Sequence, residues 1–210
     1  MKRQSATIKA LYKILHIKPS PVRQGNNRPF IFVHINKTAG TSIGKAIGLP
    51  LKDHLTAKEI IANIGQEQWD AAYKFTIVRN PWDKVVSHYE YRRKKNKTQI
   101  ASRDIDFKTW VKATYGENKD PFFYNNPKSF QPQLEWLKDN QGKLSIDYAG
   151  KFESLNEDFE HIRGIIGIDA VLPHLNASNR AAYQTYYNDE TRAIVADWFR
   201  EDLDVFGYSF

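Results

Sequence analysis

The chain of 210 residues has a net charge of +7, 41% hydrophobic residues and no cysteine, which excludes disulfides and thiolate metal sites and fits a reducing compartment. Its length supports one domain with a substantial core. No apolar run approaches the roughly 18 residues of a membrane span, and the N-terminus shows neither the apolar core nor the cleavage site of a secretory leader, so the expected location is cytoplasmic.

Residues 1–28 hold seven of the 31 basic residues and no acidic one, which leaves 24 basic against 24 acidic residues beyond them. The high isoelectric point therefore belongs to a basic N-terminal arm, and residues 29–210 are read as a single neutral domain. Within the arm, Ile8, Leu11, Tyr12 and Leu15 recur at helical spacing with lysines between them. Amphipathicity of this kind favours a helix docked on the body, followed by a Pro19–Pro29 linker; the other reading is peripheral contact with a membrane surface or a polyanion. A neutral body without a recognised motif argues against nucleic acid as a partner.

Phe30–Ile35 has the β-branched and aromatic content of a buried parallel strand. It breaks into Lys37-Thr38-Ala39-Gly40-Thr41-Ser42, and Ser42–Ile47 predicts a helix start. A strand, a small-residue turn and a helix N-terminus present backbone N–H groups and a positive dipole end to an anion, with Lys37 adding a full charge and Thr38, Thr41 and Ser42 offering hydroxyls. Ala39 is expected to hold the turn to negative φ. The spacing departs from the nucleoside-triphosphate loop: three residues, not four, separate Gly40 from Gly44, and Ala46 follows Lys45.

Further along, Thr56 and Glu59 form a capping-box pattern for a helix reaching about Asn63, stopped by Gly65. Phe75–Val78 reads as a second buried strand, Asn80 as a cap, and Pro81 to about Lys95 as helix. Asp106–Tyr115 is another helix, residues 117–133 a long aromatic loop of the kind more often functional than accidental, and Gln133–Asp139 a short helix. Tyr148–Phe152 is a third strand, Leu155–Ile166 an amphipathic helix, and Asn188 or Asp189 caps a last helix reaching about Asp204, with Ile194, Val195, Trp198 and Phe199 toward the core. Strands alternating with helices predict a three-layer α/β fold with a central parallel sheet.

A second anion site is encoded in residues 75–93. Arg79 closes a strand, where open α/β sheets collect ligands, and Ser87 follows two helical turns later. Arg79 can fork onto a phosphate while Ser87 donates a hydroxyl hydrogen bond to it. Two separate anion sites on neighbouring strand ends suit a ligand with two separated anionic groups. A kinase-like phosphotransferase would leave Arg79 and Ser87 without a role and fails the loop spacing; a non-enzymatic binder of anionic polymers would work through the basic arm.

Together the His34-Ile35-x-Lys37-Thr38-x-Gly40-Thr41-Ser42 loop and the Phe75-x-x-Val78-Arg79-Asn80-Pro81…Ser87 unit resemble the sulfotransferases, in particular the branch of the carbohydrate sulfotransferases. The resemblance runs through Lys151–Leu155 and Leu172–Asn176 to Asp204–Tyr208, and departs from the commonest loop at Asn36 and Ala39. It implies a P-loop-like fold and 3′-phosphoadenosine 5′-phosphosulfate (PAPS) as the donor co-substrate. Residues 37–42 (Lys37, Thr38, Ala39, Gly40, Thr41, Ser42) would then hold the 5′-phosphosulfate, and Arg79 and Ser87, with Arg180 as a weaker candidate, the 3′-phosphate. It implies a hydroxyl acceptor, less readily an amine, on a carbohydrate or glycoconjugate.

Sulfuryl transfer needs charge stabilisation on the leaving phosphate oxygen, a role that fits Lys37, and a base for the acceptor proton. No metal is expected, and no clustered ligands for one stand out. Of the six histidines, His54 lies between the two anion motifs, where the resemblance places a catalytic histidine; it is preferred over His34, which alternates along the strand beside the loop. Trp69, Trp82, Trp110, Trp136 and the 121–130 stretch could offer surfaces to a sugar, although tryptophan is also a common core residue.

Overall fold

The structure, a computed structural model, describes residues 20–49, 54–173 and 180–210. The helix read over residues 1–18, with His16, and His174–Asn176 lie outside the described residues. In chain order the described elements are β1 (Val22–Gln24), β2 (Pro29–Phe32), α1 (Gly40–Ala46), α2 (Ala57–Ile64), α3 (Gln66–Ala71), β3 (Tyr73–Val78), α4 (Pro81–Lys94), α5 (Phe107–Tyr115), the single turn α6 (Pro127–Phe130), β4 (Tyr148–Lys151), α7 (Leu155–Ile166), α8 (Asp189–Trp198) and α9 (Arg200–Phe206).

The strands form one sheet in the order β1-β2-β3-β4. β2, β3 and β4 are parallel, with Phe32 opposite Phe75 and Val78 opposite Lys151. β1 runs antiparallel beside β2 and lies inside the stretch read as a linker. Side-chain alternation then sorts the strands onto two helical layers. Ile31, Val33, Ile35 and Val78 pack with Ile60 and Ile61 of α2 and Trp69 of α3. Phe30, Phe32, Phe75 and Ile77 pack with Ile43 of α1 and Phe159, Ile162 and Ile166 of α7. The α/β layering expected from the sequence is therefore present. A third core joins α4, α5 and α8 to Phe123 and Phe130 of the 117–133 segment.

Local signals explain most boundaries. Thr56 and Glu59 form the expected capping box, Asn80 accepts from the Trp82 N–H, and Asn188 caps α8. Two expectations are corrected. Residues 133–139 are not an α-helix but a 3₁₀ turn at Leu134–Trp136: the Gln133 and Leu134 N–H groups donate to the Asp202 carboxylate, and the chain reverses directly afterwards, Lys138 pairing with Leu144 in an antiparallel bridge and the Ser145 N–H donating to the Leu137 carbonyl. The last helix also breaks at Phe199, and α9 restarts in a direction that turns Asp202 inward to make those bonds. Trp69, Trp82, Trp110 and Trp136 are all core residues. The four tryptophans therefore offer no stacking surface, whereas Tyr91 and Phe122 are exposed.

Candidate active site

Both anion motifs leave the same edge of the sheet. Val33 continues the extended chain by donating to the Phe75 carbonyl, and the loop then turns through Lys37 and Ala39, both left-handed at φ 68° and 65°. The expectation that Ala39 keeps a negative φ is thus wrong. Left-handed residues alternating with right-handed ones turn successive N–H groups into one concavity, and that curvature overrides the intrinsic preference of alanine. The Ala39 carbonyl accepts from the Ser42 and Ile43 N–H groups, starting α1 at Gly40. Thr38 donates its hydroxyl to the Ile35 carbonyl, so it holds the loop in shape and leaves Thr41 and Ser42 as the hydroxyls of the cradle. Gly40 is needed for a close approach: a Cβ there would lie 1.7 Å from His34 Nε2.

Arg79 joins the second motif to the first. Its Nη1 donates to the Lys37 carbonyl at 3.1 Å, its Nε and Nη2 bind Asp83, and its guanidinium lies 3.8 Å from the centre of the Phe152 ring. Arg180 binds the other oxygen of Asp83, so the structure brings Arg180 to the same carboxylate. The backbone at Arg79 is held from both sides, since Gln133 Oε1 accepts from its N–H and Gln133 Nε2 donates to its carbonyl, each at 2.9 Å. Ser87 sits half-buried on α4, its hydroxyl making no hydrogen bond among the described residues.

The Lys37 ammonium lies 4.5 Å from the centre of the Tyr91 ring on α4. Burial, followed by the charges of Arg79 and Arg180, pushes its pKa down to about 8. Cations thus crowd this edge of the sheet, and a polyanion there would relieve their mutual repulsion.

The two candidate histidines turn out to be neighbours. The rings of His34 and His54 lie 4.1 Å apart, and His54 Nδ1 is 3.1 Å from the His34 carbonyl oxygen. A carbonyl only accepts, so Nδ1 carries the proton and the lone pair of neutral His54 resides on Nε2. His34 is driven down to about 3 by burial and then by the charge of His54, and its Nδ1 is buried without a partner among the described residues. His34 is therefore neutral at working pH and separates Gly40 from His54. His161 packs tilted against Tyr148, and His88 is enclosed by Trp110 and Phe130.

Several residues at this site escape a linear reading. Asp83 carries an i,i+4 signal from Arg79, and Tyr91 lies one turn beyond Ser87, but Gln133 and Phe152 come from segments whose approach only the fold defines. Arg92, which stands in a basic run with Arg93, Lys94, Lys95 and Lys97, is buried and bonds Asn125 and the Phe123 carbonyl. Among the described residues no group of histidine, aspartate and glutamate could hold a metal, and no helix is long and apolar enough to cross a membrane.

The sequence profile of the sulfotransferase family matches residues 23–209. This chain belongs to the sulfotransferase family. An uncharacterized protein of Archaeoglobus fulgidus is 28% identical over 105 residues, half of this chain and 76% of its own length. The crystal structure of a sulfotransferase from Alicyclobacillus acidocaldarius aligns at a TM-score of 0.38 and 14% identity, over 72% of this chain and 64% of its own, so this chain spans a little under two thirds of that protein.

Proposed function

We propose that this sulfotransferase-family protein moves a sulfuryl group from PAPS to a hydroxyl, or less readily an amine, of a carbohydrate acceptor. The observation that carries this reading is the bond from Arg79 to the Lys37 carbonyl, which brings two anion motifs some forty residues apart in sequence into one site. A donor with anionic groups at both ends of a nucleoside fits such a paired site; a single triphosphate chain engages one half. In this reading Lys37, Thr38, Ala39, Gly40, Thr41 and Ser42 hold the 5′-phosphosulfate, with Thr38 contributing through the backbone, and Arg79, Ser87 and Arg180 hold the 3′-phosphate.

The acceptor oxygen attacks sulfur as the bond from sulfur to the bridging phosphate oxygen breaks, and 3′,5′-adenosine bisphosphate departs with that oxygen. The Lys37 ammonium opposes the negative charge growing there, as fixed cations do in phosphoryl transfer. His54 Nε2 takes the acceptor proton, its ring held in the productive tautomer by the His34 carbonyl. The carbohydrate acceptor is carried by the family resemblance, with exposed Tyr91, whose ring lies beside the Lys37 ammonium, as an aromatic surface at the site.

Calorimetry of the magnesium-free protein with 3′,5′-adenosine bisphosphate and, separately, ATP tests the donor. Wild type is expected to bind the bisphosphate far more tightly than ATP, and Arg79→Ala to lose about 100-fold, as for a charge-assisted bidentate contact. Absence of bisphosphate binding in wild type would remove this reading. His54→Asn is expected to abolish turnover while leaving the bisphosphate affinity within twofold.

A further inference from the structure

We propose that Lys84 is a third cation of the donor site, its ammonium meeting one of the anionic groups of the bound nucleotide; this rests on the donor reading above. Lys84 stands in the first turn of α4, its N–H bonded to the Asn80 carbonyl at 2.8 Å, and it is 1% exposed. Among the described residues its ammonium has no hydrogen bond and no ion pair; its recorded contact is a ring face, that of Phe199, 5.4 Å away. An ammonium so nearly withdrawn from water without an acceptor is costly, and persists in folded proteins when something else requires it.

The nearest balancing charge does not supply the acceptor. Asp202 acts on Lys84 through its field, but its oxygens are taken: Oδ2 accepts from the Gln133 N–H at 2.7 Å and Oδ1 from the Leu134 N–H at 2.9 Å, with Gln133 Nε2 at 3.4 Å from Oδ2. The other charges that Lys84 senses are Arg79 and Lys37, one from each half of the donor site. Lys84 is thus within electrostatic reach of both halves and lies three residues before Ser87, on the same side of α4. The next polar group along that helix, His88 Nδ1, is likewise buried without a partner, and Lys84 and Lys37 are among the charges that keep its ring neutral. Four cations (Lys37, Arg79, Lys84, Arg180) face three carboxylates (Asp83, Glu153, Asp202) around this edge, which leaves positive charge in excess. Phosphate and sulfate groups supply what is missing.

The competing role is a purely structural counter-charge to Asp202, and Lys84→Met, Lys84→Arg and the double variant Lys84→Met/Asp202→Asn separate the two. Bisphosphate affinity is measured by calorimetry and unliganded stability by thermal unfolding. The expected result is at least a tenfold weaker bisphosphate affinity in Lys84→Met, retention within about threefold in Lys84→Arg, and no recovery of affinity in the double variant. The unliganded Lys84→Met protein should be as stable as wild type or more so, because an unpaired buried charge has been removed. Wild-type affinity in Lys84→Met, or a loss of stability that Asp202→Asn restores together with affinity, would overturn the proposal while leaving the donor reading intact. Failure of the wild type to bind the bisphosphate would overturn both.

Discussion

The two halves of the proposed donor site are built in opposite ways. After β2 the backbone itself forms the cradle: Lys37 and Ala39 are left-handed, Gly40 presses against His34, and the side chain of Thr38 serves only to shape the loop. After β3 a side chain, the Arg79 guanidinium, carries the charge and the backbone is clamped. Gln133 holds Arg79 on both sides, the Asn80 N–H donates to Glu153, and the Asn80 amide donates to the Ser209 carbonyl. A backbone cradle stores its specificity in conformation, whereas a clamped strand end stores it in the placement of one guanidinium. Substitutions should therefore damage the first half through charge and shape, and the second through loss of support.

The largest effect on chemistry is expected at Lys37. Lys37→Ala should lower turnover by about 10²–10³-fold, the scale for removing one preorganised group from a developing oxyanion, while bisphosphate affinity falls less. The pH dependence follows from its pKa, held near 8 by burial and by Arg79 and Arg180. As pH rises through 8 the free protein loses the proton that the ligand needs, so affinity drops on the alkaline side. Near pH 8, binding should take up protons, making the calorimetric enthalpy depend on the buffer's ionisation enthalpy. Lys84, also near 8 through burial, contributes to the same uptake, so Lys37→Ala should reduce it without abolishing it. A buffer-independent enthalpy at pH 8 would contradict this account.

A smaller effect is expected at the clamp. Gln133→Leu strands the buried N–H and carbonyl of Arg79, which should cost about 2 kcal/mol of stability and weaken bisphosphate binding about tenfold. The contrast between ligands sharpens the comparison of the two halves. Affinity for 5′-AMP, which engages the cradle alone, should change less than affinity for the bisphosphate. Equal losses for both would mean that Gln133 supports the domain generally and not the Arg79 half in particular.

The sequence made the donor side legible because its chemistry is local. Strand, turn and helix follow one another within Phe30–Ile47 and again within Phe75–Ser87, so each half carries its own periodicity, caps and charges. The layering was also readable, since the alternation of Phe30, Ile31, Phe32 and Val33 matches the faces they take. What stayed hidden depends on long-range closure. Nothing near Gln133 announces Arg79, Asp202 acts from the far end of the chain, and the short helix expected over 133–139 fails because the chain reverses after Leu137 into the bridge between Lys138 and Leu144. The contact of His34 with His54 is equally invisible in the sequence: the two lie twenty residues apart and look like alternatives, whereas the fold sets their rings side by side and bonds His54 to the His34 carbonyl.

The smallest effect, and the most direct probe of the cradle, concerns Ala39. A left-handed alanine costs about 1–2 kcal/mol, which glycine would release, while glycine's greater freedom in the unfolded chain returns about 0.5–1 kcal/mol. Ala39→Gly should therefore stabilise the protein by roughly 0.5 kcal/mol in denaturant unfolding, with bisphosphate affinity held within twofold because the loop shape is unchanged. Ala39→Val should do the reverse, since a β-branched side chain resists φ near 65°, and should weaken the bisphosphate along with stability. No comparable pair of opposite responses is expected after β3, where the clamp leaves Arg79 and Asn80 without a left-handed residue to relieve. A destabilised Ala39→Gly protein would show that the curvature of the cradle comes from its flanking hydrogen bonds alone and that no strain resides in the turn.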